Sequence, residues 1–559
     1  MIISFSELLQ RYLLSIGINK MYGIMGREAS ILTFNTLAEF EFVLTRHEMT
    51  AGVVAAAITR FTKKPQVCFG TVGPGITNYM TALGTAALDR NPVIVIVAQI
   101  EVPYAIHNDA HQCVDNVSLA KPLAKYVYEI KSSFELKFAL ESAIKASMTF
   151  PCGPSVISIP IDILDSEVEI KSKETVSLNK EILLQSVAHD SEADDLIKKA
   201  AEIIKSSKNP LIIVGDAAAK TNGVKQKVRD FSISKNIPIL TTYSAKGILE
   251  WESELNFGVI SLYIDSVVEQ KANDFILGTV DTIIFIGYDL CESHPFVWSS
   301  NSVPKTFINI NSYHNNVHRA LKPRVNIISD MNKSIGTLKS CLKGYKNEKV
   351  TDISNFKNKL NRLLNDKTIY AEGITHPQVI NALSKHFNND YILASDIGMH
   401  RHLSSIFYKN NKPENFVTSE GLSSFGTGLS LGMGSKIANP KENVVMIAGD
   451  GGFHSNDGDL ETVVRLGLKM LIIILNNNCY ALIERYQLTG RYLKINKKNT
   501  SFGKVDFVML AKANGCRSGV AKNLKEFNKL LKKYDKVDEP FLIEVPVYYP
   551  KYYVNEYSK

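Results

Sequence analysis

Two apolar runs that stop abruptly at polar residues constrain this chain most: Val444-Val-Met-Ile-Ala-Gly-Asp-Gly-Gly-Phe453 and Leu471-Ile-Ile-Ile-Leu-Asn-Asn-Asn478. Each has the form of a buried parallel strand that delivers a loop to the carboxyl edge of its sheet. Between them, Leu460, Val463, Val464 and Leu466 keep helical spacing after the polar Asp457-Gly458-Asp459. The stretch reads strand, loop, helix, strand, loop, a right-handed crossover that sets two loops side by side. Asp450 ends the first strand and Asn477 the second. An acid, an amide and nearby carbonyls make an all-oxygen set suited to Mg²⁺ or Ca²⁺, with positions left open for phosphate oxygens. Gly-Asp-Gly alone is more often an ordinary turn. The pairing with Asn477 is what gives the site reading its weight.

At 559 residues the chain is too long for one core and suggests about three domains of ~150–200 residues. The net charge of +8 is spread along the sequence, with no basic block and no zinc-finger or aromatic RNA-binding signature. That argues against nucleic acid and leaves a mild preference for anionic substrates. The seven cysteines are scattered and form no Cys-x-x-Cys pair, so neither a disulfide scaffold nor a zinc site is indicated. The N-terminus lacks a basic leader and keeps helical spacing through Leu14. No apolar run approaches the ~20 residues a membrane span needs. A cytoplasmic, reduced protein is expected.

The strand and helix signals fall into three groups. Over residues 1–165, Met21-Tyr-Gly-Ile, Val67-Cys-Phe, Val93-Ile-Val-Ile-Val and Val156-Ile-Ser-Ile read as strands, separated by Ala-rich helices at Met49–Phe61 and Thr77–Leu88. Residues 166–193 are polar and read as a surface linker. Over 194–342 the strands are Pro210-Leu-Ile-Ile-Val-Gly, Ile239-Leu-Thr-Thr, Thr282-Ile-Ile-Phe-Ile-Gly and Thr306-Phe-Ile-Asn-Ile. The turn Gly215-Asp-Ala-Ala-Ala lacks Gly-x-Gly-x-x-Gly and reads as a plain strand–helix turn in preference to a nucleotide site. After a Lys- and Asn-rich linker at 343–367, residues 370–550 carry Tyr391-Ile-Leu-Ala-Ser-Asp-Ile-Gly, the two opening runs, and Phe541-Leu-Ile-Glu-Val. This alternation predicts an α/β protein of three doubly wound, parallel-sheet domains.

Arg46-His-Glu48 opens an otherwise apolar helix, and Gly73-Pro-Gly-Ile-Thr-Asn78 lies further on. A carboxylate there is ordinary at a helix N-terminus, or is held in a water-poor place to exchange a proton with a heterocycle. With these pieces the chain resembles, over essentially its whole length, the thiamine-diphosphate-dependent enzymes of the acetolactate synthase-like family. The three domains would then be pyrimidine-binding, central and diphosphate-binding. The resemblance implies that Glu48 hydrogen-bonds the aminopyrimidine and drives its imino form, with Gly73, Pro74 and Asn78 beside that ring. Asp450 and Asn477 would bind Mg²⁺ through side chains and Cys479 through its carbonyl. Gly398, Met399 and His400, with Gly449, Gly451 and Gly452, would contact the diphosphate, and Tyr480 would adjoin the cofactor. Phe425 falls where the family places the bulky apolar residue that bends the cofactor. The family sets Glu48 and the metal site on different subunits, which implies a homodimer or homotetramer.

Family members that protonate the decarboxylated acyl unit resemble one another in an adjacent His-His pair and a Glu after the metal loop. Here Ala110-His-Gln-Cys113 has one His followed by Gln112, and the second position aligns with Ile483, one residue before Glu484. Taken alone, Gln112 is an ordinary loop amide and Ile483 ordinary core. In the resemblance they match the carboligase branch, with Gln112 catalytic beside the thiazolium and Ile483 lining the acyl pocket. His111-Gln-x-x-Asp-Asn116 and Ile286-Gly-Tyr-Asp-x-x-Glu-x-x-Pro-x-x-Trp298 resemble the catabolic acetolactate synthases, which use no FAD; FAD is therefore not expected. The implied reaction is decarboxylation of pyruvate with transfer of the acetyl unit to a carbonyl acceptor. Glu28, where the catabolic enzymes carry Lys, would repel a second pyruvate unless Arg27 or Arg485 compensates. With Glu420, also an unexpected residue beside the pocket, it leaves open an aldehyde or keto-sugar acceptor.

Overall fold

The computed structural model describes residues 1–26, 36–105, 111–172, 176–184, 187–260, 278–293, 305–315, 317, 321–350, 352, 354, 358, 373–489 and 494–549. Arg27, Glu28, Ala110, Pro295 and Trp298 lie outside the described residues. The chain divides into two compact units.

The first unit comprises Met1–Gln185, Gly421–Pro440 and Asp457–Leu466. Its strands are β1 (Ile2–Ser4), β2 (Lys20–Gly23), β3 (Glu41–Leu44), β4 (Gln66–Gly70), β5 (Val93–Gln99), β6 (Tyr126–Glu129), β7 (Ser155–Pro160) and β8 (Glu167–Glu169). Six of them form a parallel sheet in the order β3-β2-β4-β5-β7-β6, while β1 and β8 pair antiparallel. The residues read as a linker from 166 thus begin with a strand that ties back to the N-terminus. Continuous apolar runs suit the inner strands because parallel sheets bury both faces, and all seven residues of β5 are buried.

The helix Glu48–Thr62 is capped by His47, whose Nδ1 accepts the Met49 N–H. Its small residues are explained by what packs on it. A Cβ on Gly52 would fall 2.5 Å from the Ala82 Cβ of helix Pro74–Leu88, and one on Gly434 of helix Gly428–Ala438 would fall 2.6 Å from the Val54 carbonyl. Three helices approach this closely only through glycine and alanine. The crossover segment joins the same unit: Asp459 accepts the Arg46 N–H at 2.8 Å, and Glu461 pairs with the Arg46 guanidinium.

The second unit comprises Ser186–Glu420, Lys441–Asn456 and Gly467–Lys559 and holds two six-stranded sheets. One contains β9 (Pro210–Val214), β10 (Ile239–Thr241), β11 (Asn256–Val259), β12 (Thr282–Ile286), β13 (Thr306–Asn311) and β14 (Val325–Ile328), ordered β11-β10-β9-β12-β13-β14. The other contains β15 (Ile392–Ser395), β16 (Phe416–Val417), β17 (Val444–Gly449), β18 (Leu471–Asn476), β19 (Arg517–Val520) and β20 (Phe541–Pro546), ordered β16-β15-β17-β18-β20-β19. Strand pairing is parallel throughout both. Each sheet reverses its strand order, and the α/β, doubly wound architecture expected from the sequence is the one observed.

The switch point of the first of these sheets is filled by the protein itself. The Glu292 carboxylate accepts the Asp216 N–H and the Thr242 hydroxyl, both at 2.7 Å, and the Asp289 N–H at 2.8 Å. Those donors follow Gly215 and the ends of β10 and β12, where a ligand's phosphate would otherwise bind. A Cβ on Gly215 would fall 2.4 Å from Tyr288 Cα, so this glycine serves strand packing. The plain-turn reading of Gly215-Asp-Ala-Ala-Ala agrees with this geometry.

Candidate functional site

In the second unit, β17 and β18 lie side by side in register from Val445↔Leu471 to Gly449↔Leu475, so their loops leave the sheet edge together. β17 ends at Gly449, one residue earlier than expected, and Asp450 opens a five-residue helix, Asp450–His454, that the sequence pattern did not announce. The Asp450 side chain is 5 % exposed, and backbone dipoles of both loops, at Gly451 on one and at Asn477 and Asn478 on the other, favour its charged form. Burial raises its pKa to about 6 despite those dipoles. A nearby cation would reverse that shift.

Neighbouring asparagines divide the work. Asn476 closes β18 structurally: its Nδ2 donates to Glu544 at 2.8 Å and its Oδ1 accepts the Asn478 N–H. The Asn477 Nδ2 donates to Cys479 Sγ at 3.0 Å. The Cys479 carbonyl accepts the Ala481 N–H at 3.0 Å, which occupies one of its two lone pairs. Among the described residues no group of three or more His, Cys, Asp or Glu side chains forms a metal cage. An acid, an amide oxygen and a main-chain carbonyl remain as the donor set.

The helix Met399–Phe407 begins at Gly398 and presents three buried cationic or imidazole side chains in succession, His400, Arg401 and His402. A Cβ on Gly398 would fall 2.7 Å from the His400 ring, and one on Gly449 would fall 3.5 Å from His400 Nδ1. His400 therefore sits over two glycines. Its Nε2 is buried and finds no hydrogen-bond partner among the described residues. Burial and the Arg401 charge hold its pKa near 3, which keeps the ring neutral. Sequence reasoning missed Arg401, which donates to the Ser419 carbonyl at 2.8 Å, and His402, whose Nδ1 meets the Tyr243 hydroxyl at 2.7 Å. Met399 is packed inward at 3 % exposure. Arg485, offered as a compensating cation, is 2 % exposed and turned toward Met399 Sδ, with its charge felt by His402.

Two glycines of the motif differ in purpose. A Cβ on Gly451 would fall 2.7 Å from the Tyr480 ring and 2.8 Å from the Phe502 ring, so the protein's own aromatics require this glycine. Gly452 is buried within the short helix. Tyr480 and Phe502 meet edge-on, ring centroids 4.6 Å apart. Ile483 is 44 % exposed, which disposes of an ordinary core role. Glu484 is engaged elsewhere, accepting the Thr500 hydroxyl at 3.0 Å and a hydrogen bond from the Cys479 thiol. Glu420 is 3 % exposed, accepts the Ser244 N–H and lies near Glu292.

In the first unit, Glu48 is 4 % exposed and its Oε2 accepts from Asn78 Nδ2 at 3.0 Å. Gly73 and Pro74 start the helix that carries Asn78, with Gly73 at φ 60°. Gln112 also has a positive φ, 59°, and its backbone and Cβ crowd the Gly73 Cα. The Gln112 loop is anchored on its C-terminal side: Gln99 donates to the Val114 carbonyl, and Asn116 donates to the Ala98 carbonyl and to Ser158. Glu48 thus meets Asn78 of helix Pro74–Leu88, and Gln112 meets Gly73 at the start of that helix, next to Pro74. Phe425 follows Ser423 at φ 54° and precedes Gly426 at φ 82°, in a tight turn that leaves its ring 48 % exposed. It too is no core residue.

Three family models match the chain: the N-terminal TPP binding domain of thiamine pyrophosphate enzymes over residues 3–119, their central domain over 197–338 and their C-terminal TPP binding domain over 396–545. An acetolactate synthase of Bacillus subtilis is 26% identical over 551 residues, covering 97% of this chain and 93% of its own. The large subunit of Escherichia coli acetolactate synthase isozyme 2 is 25% identical over 536 residues, covering 95% and 93%. That of Lactococcus lactis is 26% identical over 552 residues, covering 97% and 92%.

Proposed function

This chain belongs to the thiamine pyrophosphate enzymes, in their acetolactate synthase-like family, and on that footing we propose that it decarboxylates pyruvate and joins the acetyl unit to a second carbonyl compound. Acetolactate is the first product to test. When bound, thiamine diphosphate supplies a nucleophilic carbon that adds to a 2-oxo acid and holds the charge left by CO₂. The residues fit such a group. The unpartnered His400 Nε2 beside Gly398 and Gly449 suits a phosphate oxygen, with Met399, Gly451 and Gly452 shaping the loops around it. Asp450 and Asn477 side chains and the Cys479 carbonyl supply hard oxygen donors of the kind Mg²⁺ takes.

Glu48, buried and held by Asn78, is placed to exchange a proton with the aminopyrimidine ring, with Gly73 and Pro74 leaving room for a close approach. Phe425 would be the apolar surface beneath the cofactor, Tyr480 would adjoin it, and Ile483 would line the acyl side. Gln112 offers a neutral amide to the acceptor's oxygen. Because the family sets Glu48 and the metal site on different subunits, the working form is at least a homodimer.

One observation carries the choice of carboligation over protonation. At the position where protonating enzymes place a carboxylate, this chain exposes Ile483, and the adjacent Glu484 is committed to Thr500 and Cys479. This loop therefore offers the acyl unit an apolar side chain in place of an acid, an arrangement that would favour joining it to a carbonyl over protonating it. Mass spectrometry of products from pyruvate with a panel of acceptors tests this. Acetolactate, or another ligated product, is expected; CO₂ with acetaldehyde alone, whatever the acceptor, would rule the proposal out.

A further inference from the structure

We propose that the Cys479 thiol is a positioning residue for the metal, fixing the carboxamide of Asn477 so that its oxygen and not its nitrogen is presented to the cation. The inference rests on the reading of Asp450 and Asn477 as metal-binding side chains. An asparagine amide coordinates Mg²⁺ through oxygen alone, yet its oxygen and nitrogen are nearly the same shape and the group can rotate by half a turn. Something must choose the orientation. Here Asn477 Nδ2 donates to Cys479 Sγ at 3.0 Å, which turns Oδ1 away from the sulfur.

The sulfur acts as acceptor because its proton is directed elsewhere. Cys479 donates its S–H to Glu484, and Glu484 in turn accepts the Thr500 hydroxyl at 3.0 Å. Glu484 thus accepts from Thr500 and Cys479, and Cys479 in turn accepts from Asn477. Main-chain bonds hold that series rigid: Cys479 bridges Ser501, the Tyr480 N–H donates to the Thr500 carbonyl at 2.8 Å, and the Phe502 N–H donates to the Asn478 carbonyl at 3.1 Å. Glu484 is thereby given a function that its absence from the acyl pocket had left open. Groups that orient metal ligands are worth about 10–100-fold in metal affinity.

The test is calorimetric titration of Mg²⁺ into metal-free protein with saturating thiamine diphosphate and no substrate. Cys479→Ala keeps the backbone carbonyl and should weaken Mg²⁺ binding about 10-fold or more. Cys479→Ser can accept from Asn477 and donate to Glu484, and should stay within about 3-fold of the parent, below the range for lost ligand orientation. Glu484→Ala, which leaves the thiol but removes its acceptor, should weaken binding in the same direction as Cys479→Ala and supplies the test if that variant does not fold. Unchanged affinity in Cys479→Ala and Glu484→Ala, or equal losses in the Ala and Ser variants, would overturn the proposal. Asp450→Ala separates the premise from the inference. If it abolishes Mg²⁺ binding while Cys479→Ala leaves the affinity unchanged, the positioning role fails alone; if Asp450→Ala also binds normally, the metal assignment itself fails.

Discussion

Gly73→Ala is the substitution whose effect follows most directly from distances. The added Cβ would stand 2.7 Å from the Gln112 carbonyl oxygen, 2.9 Å from its Cβ and 3.2 Å from its Cα. None of these is the end of a flexible side chain. Carbon–carbon contacts relax near 3.5 Å, so Gln112 must retreat by at least roughly 0.6 Å. It cannot do so freely, because the residues that follow it are pinned, Val114 by Gln99 and Asn116 by Ala98 and Ser158. Gly73 itself sits at φ 60° and ψ −97°, which an L-alanine adopts at a cost of about 1–3 kcal/mol. The overlap adds about 1–3 kcal/mol more. We expect a lower melting temperature and a rate of ligated-product formation reduced about 100-fold, as for a misplaced reacting group. Gln112→Gly in the same chain removes the overlap at its Cβ, and the pair of substitutions should cost less stability than the sum of the singles. Differential scanning calorimetry and product assays read both effects. A Gly73→Ala protein with unaltered melting and turnover would refute the packing of these two loops as described.

Three further outcomes are expected. Glu48→Gln keeps size and burial, so thiamine diphosphate should bind nearly as before while turnover falls by about 10²–10⁴-fold; undiminished turnover in a steady-state assay would contradict the role assigned to Glu48. Burial, then the Glu420 and Asp216 charges, raise the Glu292 pKa well above its ordinary value. The folded state thus keeps a proton that the unfolded state releases, and the stability from Glu292 is complete at low pH and is lost as pH rises past the unfolded value. Glu420→Gln removes one repelling charge and should gain melting temperature over the parent as pH goes from about 5 to about 8; a difference that does not change with pH would count against it. Phe425→Ala should preserve melting temperature to within the effect of a surface substitution, about 0.5 kcal/mol, while lowering cofactor-dependent turnover; a core-sized loss of stability would return Phe425 to packing.

The strands that the sequence announced share one property. Each of the runs read as strands occupies an interior place in its sheet, from β2, β4, β5 and β7 through β9, β10, β12 and β13 to β15, β17, β18 and β20. In the three six-stranded sheets, the strands that went unread are the edges: β3, β6, β11, β14, β16 and β19. An interior parallel strand is covered on both faces and needs an unbroken apolar run, whereas an edge strand is free to be polar and short. Glu41-Phe-Val-Leu44, with one buried residue, and Arg517-Ser-Gly-Val520, with none, carry no such run. The site shows the same division. Asp450, Asn477 and Glu48 were legible because strand ends and a helix start fix where they stand. Arg401, His402 and the Cys479–Glu484 link were not, because side-chain orientation depends on partners distant in sequence. Phe425 and Ile483 were separable from core only once their exposure was seen, since an apolar letter reads the same in both places.

The central claim is that the acetyl unit made from pyruvate is joined to a carbonyl and not protonated. Following pyruvate consumption and CO₂ release together by NMR, with purified protein, thiamine diphosphate and Mg²⁺ and no added acceptor, tests it most directly. Carboligation to acetolactate predicts one CO₂ for every two pyruvates consumed, with acetoin appearing after acid treatment. One CO₂ per pyruvate, with acetaldehyde accumulating in step, would contradict it.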